Sequence, residues 1–355
     1  MTHEVTIELP DDSVLSDWYQ LYQRLPVPRF YHHPDWCLAI NSHLLPTQVS
    51  VMMLKNSSGR CDLIVPLMNG INNTVHGPNH DHLSLNGILF DPDLSEKNQL
   101  DALSEAMDRQ LRWHSWHFHN VPLYDSLANA TQSLLHTRAD RLWTSTQSRE
   151  TAWFDLTKDS KVPSGKLKRN LRRLRKQLLE TSPLRFEQVT NPAQLDWAFE
   201  QFLNVEASGW KGAEGDGTAI KHSDSLRSFY ASLLTPRYKG LTPTINLLFA
   251  DELCIAAQYG LATKNCLSLL KIGYLEDYSH YSPGSLLLED VINQCYQDKT
   301  PTLSLVTSPP WAVRWHPETA PVWHITRYNN TTFGHSKRML HAIKDFTKAR
   351  LRPAR

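Results

Sequence analysis

The chain has few cysteines and no long apolar segment. Its 355 residues include five cysteines, an odd number, and none of them has C-x-x-C spacing, which argues against a disulfide framework or a structural zinc site. No segment reaches the roughly 20 apolar residues of a membrane-spanning helix, and residues 1–15 lack the basic and apolar run of a signal peptide. We therefore expect a cytoplasmic protein with reduced thiols.

The chain also lacks an excess of charge of either sign. Lys and Arg number 37 against 36 Asp and Glu, so the net charge is +1 near neutral pH. No global field therefore attracts nucleic acid or a membrane, and electrostatic binding has to be local. The closely spaced histidines have no H-E-x-x-H or comparable ligand set beside them, so we predict no metal site and expect ordinary surface or core histidines: His80, His82, His114, His117 and His119.

Length and pattern divide the chain into two domains. A chain of 355 residues is long for one hydrophobic core and suits two domains of about 150–180 residues. In the first half the pattern predicts strands over 49–54, 62–67 and 116–121 and helices over 95–112 and 124–136. A strand over 151–156 precedes a linker-like stretch at 157–165. We predict domains at 1–150 and 151–355.

The second half has the pattern of a mixed sheet. It predicts helices over 166–179, 195–207, 223–234 and 284–297, strands over 185–190, 244–250, 253–262, 266–275 and 302–306, and a C-terminal helix. Hairpin-linked strands followed by a strand-helix-strand unit describe an α/β (α+β) fold with an antiparallel half. The first half has a loosely similar order of elements, which suggests an ancient duplication.

The most informative segment, 271–289, passes from a strand through a polar turn into a helix. Ser282 suits the N-cap, Pro283 the first helical position, and Gly284 leaves the first turn without a side chain. Unpaired N–H groups at about 284–287 and the helix dipole can then hold a pyrophosphate, although an ordinary capped helix has the same residues. Nearby tyrosine hydroxyls favour the functional interpretation, since they suit proton transfer: Tyr274, Tyr278 and Tyr281.

A second segment, 206–219, contains four glycines after a predicted helix. Such a loop can approach a ligand closely or move to cover it. Glu206, on the last helical turn, is the natural candidate for a general base, and the alternative is a surface cap or ion pair. Trp210 can pack as a hydrophobic lid on the domain. Lys211 can be solvated or can pair with phosphate.

The helix predicted over 166–179 is basic and amphipathic. Between residues 166 and 176 it has seven cations and no acid, and leucines at 167, 171, 174 and 178 form its apolar seam. Three interpretations stay open: a solvated charged face, a patch for nucleic acid or anionic lipid, and a dock for phosphates of a cofactor or polyanionic substrate.

Together these segments resemble the GNAT acyltransferase superfamily, specifically the tandem-domain branch that groups CelD-like acyltransferases with FemAB-like peptidoglycan transferases. The resemblance is carried by the Arg-Arg helix at 168–178, by E-A-S-G-W-K-G at 206–212, by G-T-A at 217–219 and by 271–288 with its Y-S-P-G. It covers about 151–306. The usual phosphate loop of the superfamily, Gln/Arg-x-x-Gly-x-Gly/Ala, keeps only its central glycine, Gly284, in this chain.

The resemblance implies tandem GNAT-like domains, each a mixed, partly antiparallel sheet flanked by helices, with a degenerate first domain and a catalytic second one. It implies a V-shaped opening in the sheet for acetyl-CoA or another acyl-CoA, with no metal. The pyrophosphate would lie at the start of the helix that follows the fourth strand, on these residues: Ser282, Pro283, Gly284, Ser285 and Leu286.

Acyl transfer from a thioester to an amine requires a base, an oxyanion site and a proton for the leaving thiolate. We assign the base to Glu206, the oxyanion site to a backbone N–H within 269–272, and the proton to Tyr281 or Tyr274. Lys271 would orient substrate or stabilise charge, unless it is an ordinary strand lysine. Substrate binding is predicted for Trp210, Lys211 and Asp277.

Three functions follow from the resemblance. The first is direct N-acylation of a small molecule or of a cell-envelope glycan or lipid precursor, without a covalent intermediate, since no cysteine has an activating neighbour. The second is a FemAB-like transferase that takes an aminoacyl group from tRNA, with the basic helix on the RNA. The third is a non-catalytic binding module in polysaccharide assembly.

Overall fold

The computed structural model describes residues 4–110, 113–137, 142–158, 162–163, 165–208 and 217–351. The strands are β1 (Glu4–Glu8), β2 (Ser50–Lys55), β3 (Cys61–Asn69), β4 (Thr74–His76), β5 (Leu89–Phe90), β6 (Ser115–Pro122), β7 (Trp143–Asp155), β8 (Leu184–Val189), β9 (Thr242–Ala250), β10 (Leu253–Thr263), β11 (Cys266–Tyr274), β12 (Thr302–Ser304) and β13 (Glu318–Tyr328).

The α-helices are α1 (Asp12–Arg24), α2 (Pro34–His43), α3 (Glu96–Asp108), α4 (Ser126–Thr137), α5 (Gly165–Leu179), α6 (Pro192–Glu206), α7 (Asp224–Ser232), α8 (Pro283–Gln297) and α9 (Thr332–Leu351). Short 3₁₀ helices span Phe30–His32, Ile220–His222, Glu276–Tyr281 and Pro310–Trp315. Among the residues given above, no helix combines the length and apolar character that crossing a bilayer requires.

The chain divides into two compact units. Unit 1 comprises Met1–Leu25, Pro46–Arg149 and Ala320–Arg355, and unit 2 comprises Pro26–Leu45 and Glu150–Thr319. The unit boundary after residue 149 lies where the sequence predicts a domain boundary. The units differ from the predicted domains in two segments, because 26–45 belongs to unit 2 and 320–355 to unit 1.

In unit 1 the strands follow the order β1-β2-β3-β4-β6-β13, and β5 pairs with β3. β4 and β6 are parallel, whereas β2 with β3 and β6 with β13 are antiparallel. Side chains alternate along β6: Trp116 and Phe118 enter the core with leucines of α3, and His117 and His119 lie on the other face.

In unit 2 the order is β7-β12-β11-β10-β9-β8. Only β11 and β12 pair in parallel within this order, and the pairs β8–β9, β9–β10, β10–β11 and β12–β7 are antiparallel. β10 is buried nearly throughout because helices cover both of its faces. Tyr259 contacts Phe199 and Phe202 of α6, and the opposite face packs against α5 and α8. The predicted mixed α/β fold is therefore confirmed.

Candidate active site

The sheet of unit 2 opens between two parallel strands. The parallel register of β11 and β12 runs from Cys266 opposite Thr302 to Ser268 opposite Ser304, where β12 ends. β11 continues to Tyr274 and forms one wall of a cavity of about 720 Å³, whose other wall includes Leu305 and Thr307. This volume is in the range of ordinary ligand pockets.

A β-bulge lies in the wall formed by β11. The register with β10 pairs Tyr259 with Lys271 but Gly260 with Leu269, so Leu270 is the extra residue. In a bulge the extra residue is left out of the hydrogen-bonded ladder, and Leu270 lines the cavity. Gly260 is required by the close approach of the strands here, since a Cβ would lie 3.1 Å from the carbonyl oxygen of Ser268.

Glu206 is the last residue of α6 and lines the cavity, although only 3% of the residue is exposed. Its Oε2 accepts a hydrogen bond from the backbone N–H of Ile220 at 2.9 Å, so it also fixes the far end of the loop that follows α6. Burial raises the pKa of the phenol of Tyr230 well above its usual value, and the neighbouring acidic groups of Tyr259 and Glu206 act in the same direction. A carboxylate in such a place has little competition from water for a substrate proton.

The start of α8 also lines the cavity, and it differs in one respect from the prediction. Ser282 is the N-cap residue, but it has a left-handed backbone, φ 53°, and its side chain makes no capping hydrogen bond. Its carbonyl oxygen accepts from the N–H groups of Ser285 and Leu286, at 2.9 and 3.1 Å. The expectation of free N–H groups over 284–287 is therefore wrong at these two residues, because a tight first turn uses them.

A positive charge lies at this helix start. Arg314, in the 3₁₀ helix Pro310–Trp315, donates from Nη2 to the Oγ of Ser285 at 2.6 Å and lines the cavity. A Cβ added to Gly284 would lie 3.5 Å from the ring of Tyr274, an ordinary contact, so the glycine leaves open space. The guanidinium, a serine hydroxyl and the positive end of the helix dipole form a group suited to phosphate oxygens.

The cavity brings together seven of the predicted site residues: Glu206, Lys271, Tyr274, Ser282, Pro283, Gly284 and Ser285. Three other predicted site residues are described by the structure but do not line the cavity. Tyr281 packs partly buried against the core of unit 2, Leu286 is buried in that core, and Asp277 is exposed on the 3₁₀ helix Glu276–Tyr281. Trp210 and Lys211 lie outside the described residues.

The period of that 3₁₀ helix explains why Tyr281 does not line the cavity. Residues three apart share a face of a 3₁₀ helix. Glu276 and Ser279 line the cavity, whereas Tyr278 and Tyr281 pack against the core. The sequence shows a polar turn here but not its helical period, so the tyrosines could not be assigned to a face.

Gln258 is a lining residue that sequence reasoning missed. It is buried in β10, and its Oε1 receives a long hydrogen bond, 3.5 Å, from Asn246, which in turn accepts from Gln188 at 3.0 Å. These amides form a row across three strands of an otherwise apolar sheet. The sequence signal that could have identified Gln258 is a polar residue in the middle of an otherwise apolar strand.

The basic helix α5 packs its leucines into the core of unit 2 and exposes most of its cations. Arg175 is the exception, since it bonds the side chains of Glu289 and Asp290 on α8 at 3.1 and 2.8 Å. Within the described part of the chain, no acidic side chain lies within ion-pair distance of the other six, all of which are exposed: Lys166, Lys168, Arg169, Arg172, Arg173 and Lys176.

Histidines of unit 1 form a cluster that we call the histidine cluster, comprising His76, His117, His119, His324 and His341. The ring of His76 stacks 5.0 Å from that of His117. Burial, followed by the charges of neighbouring histidines, lowers the pKa of His117 to about 3 and that of His119 to about 4. Among the described residues no group of three or more His, Cys, Asp or Glu side chains is arranged to hold a metal ion.

Residues 165–310, which include β11, α8 and the cavity, match the family model described as "Acetyltransferase (GNAT) domain". The chain therefore contains a GNAT domain, and the resemblance to the GNAT acyltransferase superfamily is confirmed. A search of the curated proteins finds no match.

Solved structures share this fold over nearly the whole chain. L-PGS from Bacillus licheniformis is 11% identical, with a TM-score of 0.57 over 94% of this chain and 96% of that one. FemX is 10% identical, with a TM-score of 0.56 over 92% and 97%. A tandem GNAT protein from the clavulanic acid biosynthesis pathway is 11% identical, with a TM-score of 0.50 over 93% and 100%. At these identities the likeness shows the fold alone.

Proposed function

We propose that the chain is an N-acyltransferase that transfers an acyl group from acetyl-CoA, or another acyl-CoA, directly to an amine. The observation that carries this proposal is the cavity beside β11, whose lining includes both the buried Glu206 and a cationic helix start. The predicted amine belongs to a small molecule or a cell-envelope glycan or lipid precursor, and the predicted location is the cytoplasm.

The start of α8 would hold the pyrophosphate. Arg314 supplies the positive charge, the Oγ of Ser285 supplies a hydroxyl, and Gly284 leaves room for phosphate oxygens. In this assignment Arg314 and the hydroxyl of Ser285 take the place of the backbone N–H groups of Ser285 and Leu286, which are hydrogen-bonded to the carbonyl oxygen of Ser282. The pantetheine and acyl group would then lie along the open part of β11, toward Glu206.

Acyl transfer from the thioester to the amine needs three chemical groups. An alkyl ammonium has a pKa of about 10, so a base must take its proton before the amine attacks the thioester carbonyl. We assign this base to Glu206. The carbonyl oxygen gains negative charge during attack, and a backbone N–H at the Leu270 bulge would stabilise it. Tyr274, which lines the cavity, would protonate the departing thiolate.

Binding of the donor is the first test. We expect saturating acetyl-CoA to raise the thermal midpoint by several degrees, since ligand at 100 times its dissociation constant adds about 2.7 kcal/mol. Gly284→Glu, which introduces a carboxylate where the pyrophosphate would lie, should abolish this rise. Gly284→Gln is the matched control, because it has the same shape without the charge. No rise for the parent with acetyl-CoA or long-chain acyl-CoA would overturn the proposal.

The role of Glu206 is tested by turnover with an amine acceptor. Glu206→Gln keeps an oxygen that can accept from Ile220, but it removes the base, so turnover should fall by about 10²–10⁴ while the acetyl-CoA shift is retained. Glu276→Gln changes another acid that lines the cavity and serves as the control. Equal turnover of the parent and Glu206→Gln would exclude Glu206 as the base.

A second candidate function is a FemAB-like transfer from aminoacyl-tRNA, and the six exposed cations of α5 favour it. Salt-dependent retention of tRNA, together with silence toward acyl-CoA, would support this candidate. Failure to bind either donor would leave the non-catalytic binding module.

A further inference from the structure

Helix α9 turns its polar side toward the sheet of unit 1. The Nζ of Lys337 donates to the hydroxyls of Thr74 and Ser115 at 3.0 and 2.9 Å, and Nδ1 of His341 lies 2.7 Å from the hydroxyl of Tyr328. Burial lowers the pKa of Lys337 below its usual value. Lys337 and His341 are four residues apart, so they mark one face of the helix.

The other face of α9 is apolar and exposed. Met339, Leu340 and Ile343 have 67%, 60% and 51% of their surfaces exposed, and we call them the α9 stripe. Spacings of i, i+3 and i+4 make these side chains neighbours on one surface of the helix. A helix at the surface of a globular domain normally faces its apolar side inward, so the part of α9 whose side chains are described has the reverse arrangement.

The sequence around the α9 stripe is strongly cationic. From Arg338 to Arg355 it contains six Lys and Arg residues and one acid, Asp345, in a chain whose net charge is only +1. Cations that flank exposed aliphatic side chains on a helix fit an anionic lipid surface, which accepts apolar groups and attracts positive charge together. Exposed aliphatic side chains alone, or positive charge alone, would not favour a lipid surface as the partner.

Charge also argues against the simplest alternative occupant. In a symmetric dimer through the α9 stripe, this cationic segment would face its own copy, and like charges repel. A nucleic acid would use the cations but would leave the aliphatic side chains in water. We therefore propose that α9 docks the protein on anionic lipid bilayers through the α9 stripe. This surface lies outside the cavity, so the inference does not depend on the proposed function.

Sedimentation with lipid vesicles tests the proposal. We expect the full chain to sediment with phosphatidylcholine vesicles that contain phosphatidylglycerol, to stay in solution with phosphatidylcholine alone, and to be released by high salt. The triple variant Met339→Ser, Leu340→Ser, Ile343→Ser should bind about tenfold to hundredfold less, because these apolar surfaces would no longer enter the bilayer.

Ile71→Ser is the matched control, since Ile71 is 85% exposed in unit 1 but lies outside α9. It should bind vesicles like the parent. Absence of vesicle binding by the parent, or equal binding by the parent and the triple variant, would overturn the proposal. Self-association of the parent that the triple variant loses, without vesicle binding, would identify a second copy as the occupant. Salt-dependent retention of both proteins on heparin, again without vesicle binding, would identify a polyanion.

Discussion

Gly273 of β11 lies against the end of α6, where a side chain has no room. A Cβ at this position would be 2.9 Å from the Cα of Glu206 and 3.2 Å from its backbone nitrogen. Both atoms belong to the backbone, so the helix end itself would have to move. The short distance between β11 and Glu206, the base proposed for catalysis, is therefore possible because residue 273 is a glycine.

We predict that Gly273→Ala lowers the free energy of unfolding by about 1–3 kcal/mol and also lowers turnover, because α6 must shift away from β11. Urea denaturation and steady-state kinetics with acetyl-CoA measure the two effects. Gly284→Ala is the control for the stability measurement alone, since its Cβ would make only an ordinary contact at 3.5 Å with Tyr274. A Gly273→Ala protein with unchanged stability would show that α6 is not held at this distance.

At the residue scale, the sequence could identify only part of the site. Glu206 was found because the end of a predicted helix before a glycine-rich loop is visible in the pattern. Arg314 was missed because the segment Pro310–Trp315 is a 3₁₀ helix, too short to show a period. Its bond to Ser285 joins residues 29 positions apart, and no local pattern indicates such a contact.

Among the elements, the pair α5 and α8 is joined by a partly buried ionic group. Arg175 bonds Glu289, Asp290 and the carbonyl oxygen of Leu286. Burial raises the pKa of Asp290 to about 6, although the charge of Arg175 acts in the opposite direction. Because Leu286 is the fourth residue of α8 and ends its first turn, this group also supports the helix start that lines the cavity.

We predict that Arg175→Gln lowers the free energy of unfolding at pH 7 by about 1–3 kcal/mol, because it leaves two adjacent acids without their cation. The pKa of folded Asp290 would rise further above its unfolded value, so stability would be lost as the pH rises through this interval. The deficit should therefore be smaller at pH 5 than at pH 7 in urea titrations. Arg172→Gln, at an exposed position of α5, should leave stability within about 0.5 kcal/mol of the parent. A deficit independent of pH would contradict the ionic explanation.

The central elements were predicted closely, and those of unit 1 less so. Strands expected over 253–262 and 266–275 are β10 and β11, and the helix expected over 284–297 is α8, because long apolar runs and a proline start are clear signals. β13 was not predicted. Its sequence contains Pro321, which weakens a strand pattern, and its partner β6 is remote in sequence.

For the whole molecule, the histidine cluster sets a limit on stability in acid. Lys337 of α9 and Arg149 also act on these histidines and help to lower their pKa values. In the fold, four of these histidines stay neutral at a pH where the unfolded chain, with a pKa of about 6.5, takes up protons: His76, His117, His119 and His324. Their contribution to stability is therefore complete above that pH and is lost as the pH falls toward their folded pKa values.

We predict that the free energy of unfolding falls between about pH 6.5 and pH 4, by about 1.4 kcal/mol per pH unit for each such histidine. Chemical denaturation at several pH values measures the slope. His117→Gln should make the slope shallower even if it lowers stability at pH 7, whereas His222→Gln, at an exposed residue of unit 2, should not. The same slope for the parent and His117→Gln would show that other groups control stability in acid.

The way in which the two units share the chain determines the order in which they can be completed during synthesis. In unit 1, His117 on β6 bonds Thr326 on β13, a residue 209 positions later. All segments of unit 2 are therefore translated before unit 1 receives its last strand. On the ribosome, the edge of β6 that pairs with β13 stays unpaired while unit 2 is synthesised. Unit 1, which begins first, is therefore completed last. A fragment that stops at residue 150 would keep that edge permanently, and we expect it to aggregate.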